Sequence, residues 1–171
     1  MPRGFFTQSA CVLLSKPTSL DAITPLLSEF RIAKRIDEFK EVHFGGPSLI
    51  VAFRQEVNGY LNVDVREGTW PDHMGDPKVE PMLFGAWTMG HYGPFTFPGG
   101  LRRAQDQLWA WPEGKNVVAR HTAAIHIRAS YVFGAGKDAK ILPQDYDALA
   151  EMHFITRLVV ALLKHPDALA Y

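Results

Sequence analysis

Apolar and polar residues follow one another along this chain in patterns that predict both strands and helices. Residues 9–15 (SACVLLS) form a continuous apolar run, as a buried strand would. Residues 48–54 and 60–66 are two further strand-like runs, and Asn58-Gly59 joins them. Because both joining residues tolerate positive φ angles, this dipeptide is a strong signal for a β-hairpin. The first part of the chain is therefore predicted to contain a strand and, after a connection, a hairpin.

The connection is predicted to hold a helix within residues 19–30, and this helix has two alternative starts. Ser19 can cap the whole helix with its side-chain oxygen. Alternatively, Thr24 caps a shorter helix with Pro25 at its first position, where proline loses no helical hydrogen bond. A second, short helix is predicted later in the chain, at residues 101–111.

The C-terminal part is predicted to be a strand at residues 121–133 followed by a helix at residues 143–165. Asp145 and Asp147 lie near the start of this helix, where acidic side chains interact favourably with the helix dipole. Its predicted core stripe consists of Leu149, Met152, Ile155, Val159 and Leu162. A strand returning to the sheet is expected after residue 165. Since few residues follow, the sequence suggests a fragment or a shortened version of the fold.

The order of these elements predicts an α+β fold. A β-α-β-β unit comes first, an insert rich in aromatic, glycine and proline residues spans about residues 70–112, and a β-α unit follows. This order suggests a ferredoxin-like arrangement, with the helices packed on one face of a mainly antiparallel sheet. The chain has 171 residues, enough for a sizeable core, and we interpret residues 1–171 as a single domain.

One face of the predicted sheet carries a set of polar side chains. Asn62 and Asp64 point away from the apolar residues of the hairpin's second strand, and His126 and Arg128 do the same in the later strand. If these strands are neighbours, the four side chains converge into a candidate ligand face. A carboxylate beside an imidazole and a guanidinium can bind an anion or polarise a carbonyl. The alternative is an ordinary exposed face with a surface ion pair.

Residues 84–111 contain seven aromatic side chains among glycine and proline residues. Such a composition predicts irregular backbone over most of the segment. The rings either fill a core beneath a loop or stand out as anchors for a partner, with arginines supplying electrostatic complementarity. The candidate partner-binding residues are Trp87, His91, Tyr92, Phe95, Phe97, Arg102 and Arg103.

Composition narrows the classes of function. Hydrophobic residues make up 47% of the chain and charged residues 21%, as in a globular protein. Eighteen basic and eighteen acidic residues cancel, which argues against a nucleic-acid partner. The most apolar late stretch, residues 154–163, contains Arg157 and is far shorter than the roughly 20 residues of a membrane span. We therefore expect a cytoplasmic protein with neither a nucleic-acid nor a membrane partner.

No pattern in the chain predicts catalysis or a cofactor. The sequence lacks a Gly-x-Ser-x-Gly nucleophile elbow and a complete Walker loop. Cys11, the only cysteine, lies in an apolar strand, where a thiol is usually inert. His121 and His126 are five residues apart on one strand and point to opposite faces, which does not suit a shared metal ion. No catalytic residue, cofactor or metal site is therefore predicted.

Three short segments carry a resemblance to a known family. They are FTQSA at residues 6–10, TSLD at residues 18–21 and HTAAIHI at residues 121–127, before a long helix. Together they resemble an uncharacterised bacterial domain family whose members are often encoded beside secreted or polymorphic toxins, including type VI secretion effectors. The resemblance covers the N-terminal strand and most of the C-terminal half. It implies a cytosolic immunity protein that inhibits a cognate toxin by binding it.

Three hypotheses of function follow. The first is an immunity-type inhibitor that binds and neutralises a cognate protein toxin and has no catalysis of its own. The second is a small α+β enzyme or ligand-binding domain that takes an anionic metabolite through Asp64, His126 and Arg128. The third is a structural domain that forms a homodimer across its aromatic segment.

Overall fold

A computed structural model describes residues 6–37, 46–94, 96–133 and 141–171. Its strands are β1 (Ser9–Leu14), β2 (Ile32–Ile36), β3 (Ser48–Arg54), β4 (Gly59–Glu67), β5 (Ala123–Ser130) and β6 (Ala168–Ala170). They form one sheet in the order β2-β3-β4-β5-β1-β6, and every neighbouring pair is antiparallel. The predicted α+β class and the antiparallel sheet are confirmed.

Five α-helices accompany the sheet within the described residues. They are α1 (Leu20–Ile23), α2 (Pro81–Thr88), α3 (Gly100–Asp106), α4 (Gly114–Ala119) and α5 (Ala148–Leu162). Two short 3-10 segments, Thr24–Leu27 and Gln55–Val57, lie in the connections. The insert therefore contains α3, which lies within the helix predicted at residues 101–111, and also α2, where the composition predicted irregular backbone.

The predicted hairpin is confirmed. β3 and β4 pair antiparallel, and Asn58 in the turn adopts the left-handed conformation with φ 59°. Its side-chain amide donates hydrogen bonds to the carbonyl oxygens of Tyr131 (2.8 Å) and Phe133 (3.2 Å). The turn residue therefore also fixes the chain that leaves β5.

The first helix combines features of the two predicted alternatives. Ser19 caps α1, and its Oγ accepts a hydrogen bond from the Ala22 N–H at 3.3 Å. After one turn the chain continues as the 3-10 segment Thr24–Leu27, with Pro25 near its start, where the missing N–H leaves no bond unmade. Thr24 is not a side-chain cap, because its hydroxyl donates to the Leu20 carbonyl oxygen instead.

The helix predicted at residues 101–111 is shorter in the structure. α3 ends at Asp106, after which the Gln107 and Leu108 N–H groups donate to carbonyl oxygens three residues back. This tighter pattern ends an α-helix, and the chain turns before it begins α4. The sequence pattern had not predicted α4 as a separate helix.

The last helix begins later than predicted and packs on a different stripe. Asp147 caps α5, and its Oδ1 accepts from the N–H groups of Leu149 and Ala150 at 3.0 Å each. The buried residues of the helix are Glu151, Ile155, Leu158, Val159, Ala161 and Leu162. Leu149 and Met152, which we predicted in the core stripe, are exposed. The buried stripe begins at the polar residue Glu151, so a search for apolar periodicity misplaced its first turn.

Both faces of the sheet are covered. On one face, α1 and α5 pack over the main core, which includes Ile125 and Leu158. On the other face, Leu13 and Ala124 cluster with Val118 of α4. Because neighbouring residues of a strand point to opposite faces, α4 lies on the opposite side of the sheet from α5. The prediction that the helices pack on one face is therefore wrong, since nothing local in the sequence shows that the chain after β4 returns over the sheet.

The strand order does not confirm the ferredoxin-like arrangement. Strands β3, β4 and β5 all lie between β1 and β2, the two strands joined through α1. The returning strand expected after residue 165 is present as β6, which pairs with β1 through Leu13–Ala170 and Leu14–Ala168. These pairings join residues distant in sequence, and local periodicity does not encode them.

Replacing a core residue of α5 tests the packing described above. Leu158 is fully buried in the main core, and we expect Leu158→Ala to lower the free energy of unfolding by about 2–5 kcal/mol. Val160→Ala, on the exposed side of the same helix, is the matched control and is expected to change it by at most about 0.5 kcal/mol. Urea unfolding followed by circular dichroism measures both. Equal effects of the two variants would contradict the assigned helix face.

Candidate functional site

The side chains of the predicted ligand face meet on β4 and β5. In the pairing of these strands, Asp64 lies opposite His126 and Asn62 lies opposite Arg128. Arg66, two residues along β4, continues the same face. We call these five residues the polar cluster. The structure therefore brings together Asn62, Asp64, His126 and Arg128 and adds Arg66, which the sequence analysis did not select.

An ion pair between Asp64 and Arg128 lies at the centre of the polar cluster. Arg128 Nη2 donates to Asp64 Oδ1 at 2.6 Å, and Asn62 Nδ2 donates to the same oxygen at 3.0 Å. Arg128 Nη1 donates to the His91 carbonyl oxygen at 3.1 Å, and the guanidinium lies over the Phe6 ring at 4.6 Å from its centroid. The Arg128 side chain is therefore held in place by contacts with the sheet, with the insert and with the chain before β1.

The insert covers the polar cluster. The Trp70 ring packs edge-on against His126 and Tyr92, with ring centroids 5.2 and 5.3 Å apart. The Trp70 N–H donates to His121 Nε2 at 2.8 Å, which fixes the start of the insert beside β5. Asp64 is 0% exposed and Arg128 is 2% exposed. The expectation of a wet or openly accessible face is therefore corrected, because alternation of polar residues does not show whether another layer lies above them.

Burial dominates the electrostatics of the cluster. Burial raises the pKa of Asp64, and the nearby guanidinium groups of Arg128 and Arg66 only partly oppose this. Burial likewise lowers the pKa of Arg128, against the attraction of Asp64. Burial, followed by the charges of Arg128 and Arg66, holds the pKa of His126 well below 6.5. His126 is therefore a neutral imidazole at neutral pH.

Several buried polar atoms on this side of the sheet have no hydrogen-bond partner among the residues that the structure describes. They are Ser48 Oγ, Asn62 Oδ1, Asp64 Oδ2, Arg66 Nη1, Trp87 Nε1, His126 Nδ1 and Arg128 Nε. An unmade hydrogen bond at a buried atom costs about 1–3 kcal/mol, and proteins usually satisfy such atoms with water or a ligand. The arrangement can therefore accept further polar groups.

The predicted partner-binding residues fall into two groups. Trp87 and Tyr92 are buried and pack on each other, with ring centroids 4.3 Å apart, so the expectation that they are exposed anchors is corrected. His91 is half-buried, and its carbonyl oxygen accepts from Arg128. Phe97, Arg102 and Arg103 are exposed. Phe95 lies outside the described residues.

An apolar cavity of about 370 Å³ lies between the insert and the end of the sheet. Its lining includes Cys11, Leu13, Trp70, Leu101, Leu108 and Val118. Phe97 and Trp111 also line it, and Trp109 lies on the chain between Leu108 and Trp111. We call Phe97, Trp109 and Trp111 the aromatic rim. Their exposed fractions are 60%, 87% and 38%.

The sequence analysis missed Trp109 and Trp111 as surface residues. A helix over residues 101–111 would place Trp111 on the same apolar stripe as Leu101 and Leu108, but the helix ends at Asp106. Trp109 does not belong to that apolar stripe. This is the one signal in the sequence that could have indicated an exposed ring.

Other candidate chemistry receives no support from the described part of the chain. No group of three or more His, Cys, Asp or Glu side chains within it could hold a metal ion. Burial raises the pKa of the Cys11 thiol, which disfavours the reactive thiolate. None of the described helices combines the length and the apolar character needed to cross a membrane.

Comparison with known proteins gives no relative. No family model matches the chain, and neither a curated protein nor a solved structure is significantly similar to it.

The Asp64–Arg128 pair can be tested with a double-mutant cycle. Arg128→Met leaves the Asp64 carboxylate buried without its cation, and we expect it to lower the free energy of unfolding by about 3–5 kcal/mol. Adding Asp64→Asn should restore part of that loss, because the carboxylate that lost its cation is then removed as well. Arg157→Met, which removes the exposed pair with Glu29, is the control and should cost about 1 kcal/mol at most. Additive effects of the two cluster substitutions would contradict the ion pair.

The buried imidazole predicts a pH dependence of stability. The pKa of His126 is depressed in the folded protein, so its contribution is present above about pH 6.5 and is lost as the pH falls further. Between pH 7.5 and 5.5 this term should lower the free energy of unfolding by about 1 kcal/mol. The groups around His126 are Cys11 on β1, Asp64 and Arg66 on β4, Arg128 on β5, and His91 of the insert.

Comparing variants separates the contribution of His126 from that of Asp64. The pKa of Asp64 is raised in the folded protein, so its titration stabilises the fold as the pH falls, opposite to the effect of His126. The free energy of unfolding of His126→Gln should fall less than that of the wild type between pH 7.5 and pH 5.5. Urea unfolding at the two pH values measures this difference. His153→Gln, on the exposed side of α5, should behave as the wild type does. An unchanged pH dependence in His126→Gln would show that His126 is not held neutral.

Proposed function

We propose that this protein is an immunity-type inhibitor, which binds a cognate secreted bacterial toxin and neutralises it without catalysis of its own. The aromatic rim beside the apolar cavity is the observation that carries the proposal. Buried, well-packed rings stabilise a fold, but a tryptophan that is 87% exposed contributes little to folding. Exposed aromatic residues around a depression are typical of the energetic centres of protein–protein interfaces.

The cavity gives the rim a shape that suits a protein partner. Its volume of about 370 Å³ is enough for one or two large apolar side chains of another protein. The rim and the cavity are continuous, since Phe97 and Trp111 belong to both. A protruding apolar residue of the partner would enter the cavity while Trp109 packs beside it.

The charges next to the aromatic rim indicate which side chains surround the apolar residue of the partner. Arg102 and Arg103 lie exposed on α3, and neither forms an ion pair with another described residue. Arg103 also lines the cavity. Two arginines at the edge of an apolar contact attract acidic side chains and fix the orientation of a complex. We therefore propose a partner surface with an apolar centre and an acidic edge.

The resemblance to toxin-associated bacterial domains supplies the class of partner. An inhibitor of this kind meets its toxin in the cytoplasm and blocks the toxin's active site or its binding of substrate. The proposal assigns no catalytic residue and no cofactor. Compared with the sequence-based hypothesis, the anchors change: Trp109 and Trp111 replace the buried Trp87 and Tyr92.

Affinity capture followed by measured binding tests the proposal. The tagged chain is used as bait in a lysate of the cells that encode it, and the captured protein is purified and titrated by calorimetry. We expect Trp109→Ala to weaken binding by about 30-fold or more, the effect of a loss of about 2 kcal/mol at an interface centre. Val160→Ala, an exposed apolar change on α5, is the matched control and should bind as the wild type does.

The activity of the captured protein completes the test. Its expression alone should arrest bacterial growth, and co-expression of this chain should restore growth, with less restoration by Trp109→Ala. The absence of a stoichiometric partner, or wild-type binding by Trp109→Ala and Phe97→Ala together, would contradict the proposal. A wild-type chain that is a dimer in solution, and becomes a monomer on Trp109→Ala, would instead support the homodimer hypothesis.

A further inference from the structure

We infer that a second, separate site lies at Arg66, between β4 and the start of the insert. This site binds a small oxyanion, which is either a carboxylate or a phosphate. The inference does not depend on the proposed inhibitor function. It rests on a cation without a carboxylate partner, an aromatic support for that cation and a cavity beside it.

Arg66 differs from the other arginine of the polar cluster in its partners. Arg128 is paired with Asp64 at 2.6 Å, whereas Arg66 has no carboxylate within ion-pair distance among the described residues. Its Nη1 is buried and has no hydrogen-bond partner in the described part of the chain. With Asp64 neutralised by Arg128 and His126 uncharged, Arg66 leaves the cluster with a net positive charge. Arg66 as a whole is only partly buried, but its enclosed Nη1 lacks a hydrogen bond, which is unfavourable, and an anion would relieve this cost.

The Arg66 guanidinium is held in place before any ligand arrives. It lies over the Tyr92 ring at 5.2 Å from the ring centroid, within the range of a cation–π contact. Tyr92 is itself buried between Trp70 and Trp87, so the ring is a rigid support. A guanidinium fixed in this way presents its N–H groups in a fork that matches the two oxygens of a carboxylate or a phosphate.

A cavity of about 220 Å³ gives the ligand its space. It is lined by Arg66, Glu67, Gly68, Thr69, Trp70, Pro71, Tyr92 and Ala124. Glu67 follows Arg66 on β4, so its side chain leaves the strand on the opposite side, although the residue also lines the cavity. A cavity of this volume has room for a small anion. The Trp70 and Tyr92 rings would contact the apolar part of a short carboxylate.

Titration with two simple anions tests the inference on the intact chain. Sodium acetate and inorganic phosphate are added separately at constant ionic strength, with sodium chloride as the reference, and amide resonances are followed by ¹H–¹⁵N NMR. We expect one of the two anions to shift the amides of Arg66, Gly68, Thr69 and Ala124 along a saturable curve. The anion that saturates distinguishes a carboxylate site from a phosphate site. No saturable shift at these amides with either anion would overturn the inference.

Two arginine variants separate this site from general attraction of anions. Arg66→Gln should weaken binding at least about tenfold, as expected for losing a charge-assisted pair of hydrogen bonds. Arg120→Gln removes the same charge from the exposed end of α4 and should bind as the wild type does. Equal binding by Arg66→Gln and the wild type would also overturn the inference. Should Arg66→Gln fail to fold, the wild-type spectrum still decides. Saturable shifts at the amides near Arg66 support the site, and their absence overturns it.

Discussion

The ion pair between Asp64 and Arg128 is buried at the centre of the sheet, and this burial constrains how the rest of the molecule is built. Two charges inside a protein are tolerated only when hydrogen bonds and nearby dipoles replace the water they have lost. Asn62 supplies one of these bonds from the same strand, and the His91 carbonyl oxygen supplies another from the insert. The insert is therefore needed as a second layer over the sheet.

This second layer explains why the aromatic residues of the insert differ in exposure. Trp70 and Tyr92 contact the polar cluster, and Trp87 packs on Tyr92, so that the three rings form one buried group over the sheet. Phe97 and Trp109 lie farther along the chain, beyond the covered part of the sheet, and remain exposed. One aromatic segment therefore has two physical environments: the rings of its first half complete a core, and rings of its second half remain exposed to solvent.

Local signals in the sequence predicted the elements that depend on local chemistry. Asn58-Gly59 predicted the hairpin, and Ser19 predicted the cap of the first helix, because each residue acts within a few positions of itself. Alternation within the strands also predicted which side chains share a face with Asp64 and Arg128. That face was expected to be exposed, since a strand's own sequence does not show what packs above it.

The failures of the sequence analysis have the same physical origin. The strand order depends on pairings such as Ser9 with Arg128, more than a hundred residues apart, which no local pattern encodes. The core stripe of α5 was misplaced because it starts at Glu151, a carboxylate held by Thr7 and Tyr146 at 2.8 and 3.1 Å. In both places the deciding contact comes from a distant part of the chain.

The central claim is that the insert is a firmly packed layer of the folded protein, and native-state hydrogen exchange tests it most directly. The Trp70 amide, bonded to His121 Nε2, and the His91 amide, bonded to the Ala86 carbonyl oxygen, report on the insert. Both should exchange through the same large unfolding event as the amides of β4 and β5, with a similar free energy. Rapid exchange of the insert amides while β4 and β5 stay protected would show that the insert opens independently, and would contradict the account.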